Sequence, residues 1–172
     1  RYRLMLHPDL ERFTFRGEET AFIRLRKPTR SITFHAKDIR VLKTEFRQGR
    51  EAWKPHRIYY TLADEHVHFE FGQLLPKGKG ELYLEFSGVL NDEMRGFYRS
   101  RYEVNGKTHY MATTQFEATD ARRAFPCIDE PAAKAIFDVT LIIPKGQRAI
   151  SNTHETSARE HSSGFEIVEF AP

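Results

Sequence analysis

The chain carries a single cysteine, Cys127, among its 172 residues. An intrachain disulfide is therefore excluded, and the fold must rest on burial and hydrogen bonding. A lone thiol fits a reducing compartment, so the expectation is a cytoplasmic protein. No apolar run reaches the ~18 residues that a spanning helix needs, so no membrane segment is seen. No block of like charge appears either. The net charge is +3 and the pI about 9.0, but Lys and Arg are scattered among apolar residues. That pattern describes a mixed solvated surface and not a nucleic-acid interface. A phosphate-binding loop is also lacking, because Gly78-Lys79-Gly80 has neither the spacing nor the strand-to-helix setting of one.

What the sequence does have is aromatic residues in alternation. Fourteen Phe and seven Tyr lie within a chain that is 40% hydrophobic, enough to fold around a core. Period two dominates, and no long 3.6-residue pattern competes. Phe13–Arg16 and Phe22–Arg26 are expected to form a hairpin across Gly17-Glu18-Glu19-Thr20. Strands are also expected over Ser31–His35, Ile39–Phe46 and Glu81–Phe86. Tyr59–Leu62 and Val67–Phe71 read as a hairpin across residues 63–65. Gly96–Tyr102 and Tyr110–Phe116 read as another, turning at Asn105-Gly106, where both residues tolerate positive φ. Phe137–Ile143, Ala149–Asn152 and Phe165–Phe170 complete the set. One short helix is expected at Ala121–Ala124, with Thr119 as its N-cap and Pro126 ending it. Strands at intervals of about 8 to 12 residues predict an all-β, mostly antiparallel sandwich. The chain opens on Arg1 and stops at Ala171-Pro172 directly after a strand pattern. It is therefore expected to be an excised piece of a longer protein, cut before a final strand or two.

Several residues could carry chemistry. His154-Glu155 and His161 fall short of a zinc-binding H-E-x-x-H, because the second histidine comes seven residues after the first. Seven residues rise about 10.5 Å along a helix, too far to share one ion, so a polar surface turn is expected there. His66 and His68 share a strand face opposite Val67 and Phe69, and are expected to face solvent. Cys127 stands among Phe125, Pro126 and Ile128, which predicts a buried small hydrophobe and not a nucleophile. Gln115 and Glu117 are the more informative pair. On a strand they project from one face while Phe116 projects from the other. A carboxylate beside an amide oxygen is an acceptor-rich, anionic spot that suits an ammonium group. The competing expectation is that Glu117 merely pairs with Arg122 or Arg123 across the turn.

Thr114-Gln115-Phe116-Glu117, then Asp120-Ala121-Arg122-Arg123-Ala124-Phe125-Pro126-Cys127 and Asp129-Glu130-Pro131, resembles the signature of the M1 family of zinc aminopeptidases. Gly88–Asp92 with Gly96–Ser100 resembles an upstream family segment, and Ser151-Asn152 with Ile167–Phe170 a downstream one. The resemblance covers most of the chain and is densest from residue 88 to 143. It implies the family's N-terminal β-domain, a saddle-like sandwich spanning residues 1–172. It further implies a C-terminal catalytic domain in the same chain that supplies G-x-M-E-N, H-E-x-x-H and a later glutamate, none of which occurs here. Zinc would be held there, with no metal ligand and no catalytic residue in these 172 residues. By resemblance, Glu117 would bind the α-ammonium of a peptide substrate and Gln115 would line the first side-chain pocket. Arg122, Arg123, Asp129 and Glu130 then become residues that fix the loop. Two alternatives remain: a non-catalytic scaffold of M1-like architecture serving protein contacts, and a generic β-sandwich binding module.

Overall fold

The computed structural model describes residues 1–162 and 164–172. The described chain is all β. Its strands are β1 (Tyr2–Asp9), β2 (Thr14–Leu25), β3 (Thr29–His35), β4 (Ile39–Gln48), β5 (Glu51–Trp53), β6 (Arg57–Thr61), β7 (His66–Leu75), β8 (Gly78–Val89), β9 (Gly96–Val104), β10 (Lys107–Gln115), β11 (Phe137–Pro144), β12 (Glu155–Ser162) and β13 (Phe165–Phe170). Eight of them form one sheet in the order β12-β13-β11-β1-β2-β8-β4-β5. A three-stranded sheet, β3-β7-β6, packs against it, and β9-β10 stands as a separate hairpin. Among the described strands only β1 and β11 pair in parallel, from Tyr2 opposite Phe137 to Leu6 opposite Leu141.

Alternation explains the packing. On β8, Leu82, Leu84 and Phe86 are fully buried, while Tyr83 and Glu85 between them face outward. Phe15 on β2 and Phe46 on β4 join them from the same sheet. From the smaller sheet come Ile32, Phe34, Val67, Phe69 and Phe71, all in the same core. Phe46 and Phe71 meet across the two sheets with ring centroids 6.3 Å apart. Each such side chain contributes about 1.5–3 kcal/mol by leaving water.

The structure corrects the expected hairpin at residues 17–20. β2 runs unbroken through them, and Gly17 stands opposite Leu6 on one side and Phe86 on the other. A Cβ at Gly17 would lie 2.3 Å from the Phe86 ring, so glycine is there to admit an aromatic side chain and not to turn the chain. Gly17→Ala is expected to cost about 1–3 kcal/mol by overpacking, measured by urea unfolding. A change below ~0.5 kcal/mol would mean that the ring moves aside freely.

The same stretch misleads in a second way. Glu19 is 1% exposed, and neither of its carboxylate oxygens has a hydrogen-bond partner among the described residues. It stands in register between Leu4 and Leu84, facing the apolar core. Burial raises its pKa well above the ordinary carboxylate value. The folded carboxyl therefore keeps its proton where the unfolded one has lost it. The sign follows: this contribution to stability is full below about pH 4.3 and is lost as pH rises towards the folded pKa. Glu19→Gln is expected to leave stability unchanged at pH 4 and to raise Tm increasingly from pH 5 to 7. Glu19→Leu should add about 1–3 kcal/mol at pH 4 by removing an unpaired polar group, and more from pH 5 to 7. A gain from Glu19→Gln that does not grow with pH would contradict the buried neutral acid.

Three further expectations change. The short helix is a 3₁₀ turn, Ala121–Arg123, with Asp120 and not Thr119 at the N-cap position and no side-chain cap bond. Ala149–Asn152 is not a strand, because no neighbouring chain pairs with it. Glu155–Ser162, expected as a polar turn, is instead the edge strand β12, paired with β13. Its side chains are mostly exposed, so it shows no apolar alternation in the sequence. Ser163, part of that expected turn, lies outside the described residues.

Candidate functional site

Gln115 ends the β9-β10 hairpin, and Glu117 follows in the turn after it. The register of the hairpin runs from Val104 opposite Lys107 to Gly96 opposite Gln115. Asn105 (φ 52°) and Gly106 (φ 74°) form the expected tight turn. The root of the hairpin is fixed by Phe13, which meets Tyr110 edge-on at 4.9 Å and carries the Arg99 guanidinium over its ring at 4.6 Å. Arg99 Nη1 also donates to the Leu90 carbonyl at 2.7 Å.

β10 ends at Gln115, one residue earlier than the sequence pattern suggests. The chain then turns, and the Asp120 N–H donates to the Phe116 carbonyl at 3.0 Å. That bond encloses residues 117–119 in a closed turn. Phe116 packs inward, edge-on to Phe125 at 6.1 Å. Gln115 and Glu117, on either side of it, are both exposed. Glu117 therefore stands at the start of a turn rather than on the strand, but on the outward side that the alternation predicts.

The two arginines face elsewhere. Both lie within the 3₁₀ turn. Arg122 is 8% exposed. Its Nε donates to Asp129 Oδ2 at 2.9 Å, and its Nη1 to Glu65 Oε2 at 3.0 Å. Burial works to lower its pKa, but the bonds and charges of Asp129 and then Glu65 outweigh it and hold the guanidinium charged. Lys37 binds the other oxygen of Glu65. Lys37 first, and Arg122 after it, hold the Glu65 carboxyl below its ordinary range. Arg123 reaches Asp120 Oδ1 at 3.0 Å and Asp38 Oδ2 at 2.8 Å. Neither arginine forms an ion pair with Glu117, so the structural competitor for that carboxylate is removed. Among the described residues, no side chain donates a hydrogen bond to Gln115 or Glu117.

The remaining candidates are structural. Cys127 is 4% exposed, and burial, followed by the charges of Asp129 and Glu19, pushes its thiol pKa upward. A thiol held neutral is a poor nucleophile. Its backbone instead bridges β3, with N–H and carbonyl bonded to His35 at 3.0 and 2.8 Å. Asp129 accepts from the backbone and the side chain of Arg122, which fixes the loop. Glu130 comes within 3.7 Å of His35 Nε2. Val67 and Phe69 are fully buried as expected, but His66 and His68 are half-buried rather than fully solvated. His68 lies between Thr33 Oγ1 at 3.0 Å and Thr61 Oγ1 at 2.9 Å and stacks on Tyr59. Among the described residues no three His, Cys, Asp or Glu side chains are grouped to hold a metal.

His35 is a residue that sequence reasoning missed. Its Nδ1 accepts the Asp129 N–H at 3.1 Å and ties the loop to β3. Burial, then the charges of Arg122 and His66, lower its pKa, which keeps that nitrogen unprotonated and able to accept. Nothing local marks it, because its partner lies 94 positions away.

Comparison with known proteins identifies the family. The family model for the Peptidase M1 N-terminal domain matches residues 1–172. Aminopeptidase M1-C of Oryza sativa subsp. japonica is 46% identical over 153 residues, covering 88% of this chain and 17% of its own length. Aminopeptidase M1 of Arabidopsis thaliana is 45% identical over 156 residues, covering 88% of this chain and 18% of its own. Glutamyl aminopeptidase of Sus scrofa is 35% identical over 157 residues, again 88% of this chain and 17% of the relative. The chain thus spans about one sixth of the length of the relatives it matches. With its all-β sandwich and the whole-length match, the chain belongs to the M1 peptidase N-terminal domain family.

Proposed function

We propose that this chain is the amine-recognition half of an aminopeptidase, and that Glu117 receives the free α-ammonium of a peptide substrate. One observation carries this. Glu117 is an exposed carboxylate at the mouth of a closed turn, while both neighbouring arginines are paired with Asp129, Glu65, Asp120 and Asp38. A carboxylate with no internal partner is available to an external cation. An ammonium has three donors and one charge, and a carboxylate beside the Gln115 amide oxygen offers matching acceptors. Anchoring the chain terminus at a fixed point selects the first peptide bond by orientation, without chemistry of its own. Gln115, one residue short of the turn, lines the pocket for the first side chain.

Zinc does not fit this chain, because the described residues offer no ligand cluster. In our proposal the metal and the hydrolytic step belong to the rest of the parent, and these 172 residues are not catalytic alone. A scaffold role gives no reason for a Glu117 that has no ion-pair partner among the described residues.

The test compares the parent and the isolated chain on a short peptide with a free N-terminus and on its N-acetylated form. The parent should cleave the free peptide and leave the acetylated one, and the isolated chain supplied with zinc should cleave neither. Turnover by the isolated chain, or equal cleavage of both peptides by the parent, would overturn the proposal.

A further inference from the structure

We infer that Arg123 is the positioning residue for Glu117, the bolt that locks the turn carrying it to two separate loops. This rests on the amine-site proposal above. The Arg123 side chain is only 9% exposed, although it ends in a charged group. Its Nε donates to Asp120 Oδ1 at 3.0 Å, and Asp120 is the residue whose N–H closes the turn onto Phe116. Its Nη1 donates to Asp38 Oδ2 at 2.8 Å, in the connection between β3 and β4. The same nitrogen lies 3.8 Å from Glu93 Oε2, in the connection between β8 and β9.

The stem of Arg123 matters as much as its head. A Cβ at Gly96 would lie 2.4 Å from Arg123 Cβ and 3.1 Å from the Asp120 carbonyl oxygen. Gly96 also has φ of +66° and stands directly opposite Gln115 in the hairpin. Arg123 therefore presses on the residue paired with Gln115 and grips the residue that closes the turn around Glu117. Both candidate binding residues are set by one side chain that pairs with neither of them. The planar fork of an arginine can hold Asp120 and Asp38 together, whereas a lysine ammonium is a single point charge on a flexible stem. Asp38 itself is held at φ of 57°, a conformation that asparagine also adopts readily.

The experiment measures inhibition of the parent by an amine-bearing substrate analogue and by its desamino counterpart. Arg123→Lys is expected to weaken the amine-bearing compound about tenfold to a hundredfold, the scale of a misplaced binding group, and to leave the desamino compound unchanged. Added to Glu117→Ala, it should have no further effect on the amine. Asp38→Asn removes the charge that holds Arg123 without burdening the backbone, and serves where Arg123→Lys does not fold. In the isolated chain, both variants should speed hydrogen exchange at the Asp120 amide while leaving the Leu84 amide on β8 protected. If Glu117→Ala does not reduce amine preference, the amine site itself is refuted. If Glu117→Ala does reduce it but the folded Arg123→Lys or Asp38→Asn protein shifts both compounds equally, or neither, the positioning role is refuted.

Discussion

Replacing Arg122 with alanine is expected to cost the chain about 3–5 kcal/mol of stability, the usual consequence of removing one partner from a buried ion pair. The side chains of Arg122 and Asp129 are only 10% and 12% exposed, so Asp129 would be left charged in a site that water barely reaches. Glu65 would lose a bond as well, and with it the link between the β6–β7 turn and the 3₁₀ turn. For a domain of this size the loss corresponds to a fall in Tm of roughly 6–20 °C. Asp129→Asn in the Arg122→Ala background should recover part of it, because it removes the unpaired charge. The pH dependence has a definite sign. Lys37 and Arg122 depress the Glu65 pKa, so its contribution is present above about pH 4.3 and disappears as pH falls through the lower folded value. The Arg122→Ala penalty should therefore shrink in acid. A loss below ~1 kcal/mol at pH 7 would contradict the view that this pair closes the loop.

Glu117→Ala in the parent should have the largest effect on function. An ammonium brought out of water needs a charged acceptor to offset the loss of hydration. Truncating one partner of such a pair costs about 2–5 kcal/mol, much of it from the charge left unpaired. At about 1.4 kcal/mol per decade, kcat/KM should fall from roughly 30-fold to a few thousand-fold. Stability of the domain should change little, since Glu117 is exposed and pairs with no residue described here. That separation is the useful signature: Arg122→Ala should act on the fold and Glu117→Ala on the substrate. An unchanged kcat/KM would remove the amine site from the account.

The legible parts of this fold were those fixed by neighbours in sequence. β8 could be read from Leu82, Leu84 and Phe86 because an alternating strand needs only its own pattern to choose a face. The β9-β10 turn could be read because Asn105 and Gly106 adopt positive φ themselves. Burial of Cys127 followed from its apolar flanks. The illegible parts depend on distant partners. β1 pairs in parallel with β11, with Tyr2 opposite Phe137, and no local pattern encodes that. Gly17 looks like a turn residue until the Phe86 ring is seen to lie across it. β12 shows no alternation because neither face is buried. The site divides in the same way. The exposure of Gln115 and Glu117 on either side of an inward Phe116 was readable, whereas the partners that occupy the arginines, Asp38 85 positions from Arg123 and Glu65 57 positions from Arg122, were not.

The central claim is that Glu117 recognises a charged amine and nothing else in the substrate. Calorimetric titration of the parent with an amine-bearing inhibitor and its desamino analogue, for the unmodified protein and for Glu117→Gln, tests it most directly. The account predicts that the unmodified protein favours the amine by tenfold or more, at the scale of a charge-assisted bond of about 1.5–3 kcal/mol, and that Glu117→Gln abolishes that preference while binding the desamino compound as before. Retention of the amine preference in Glu117→Gln would contradict it.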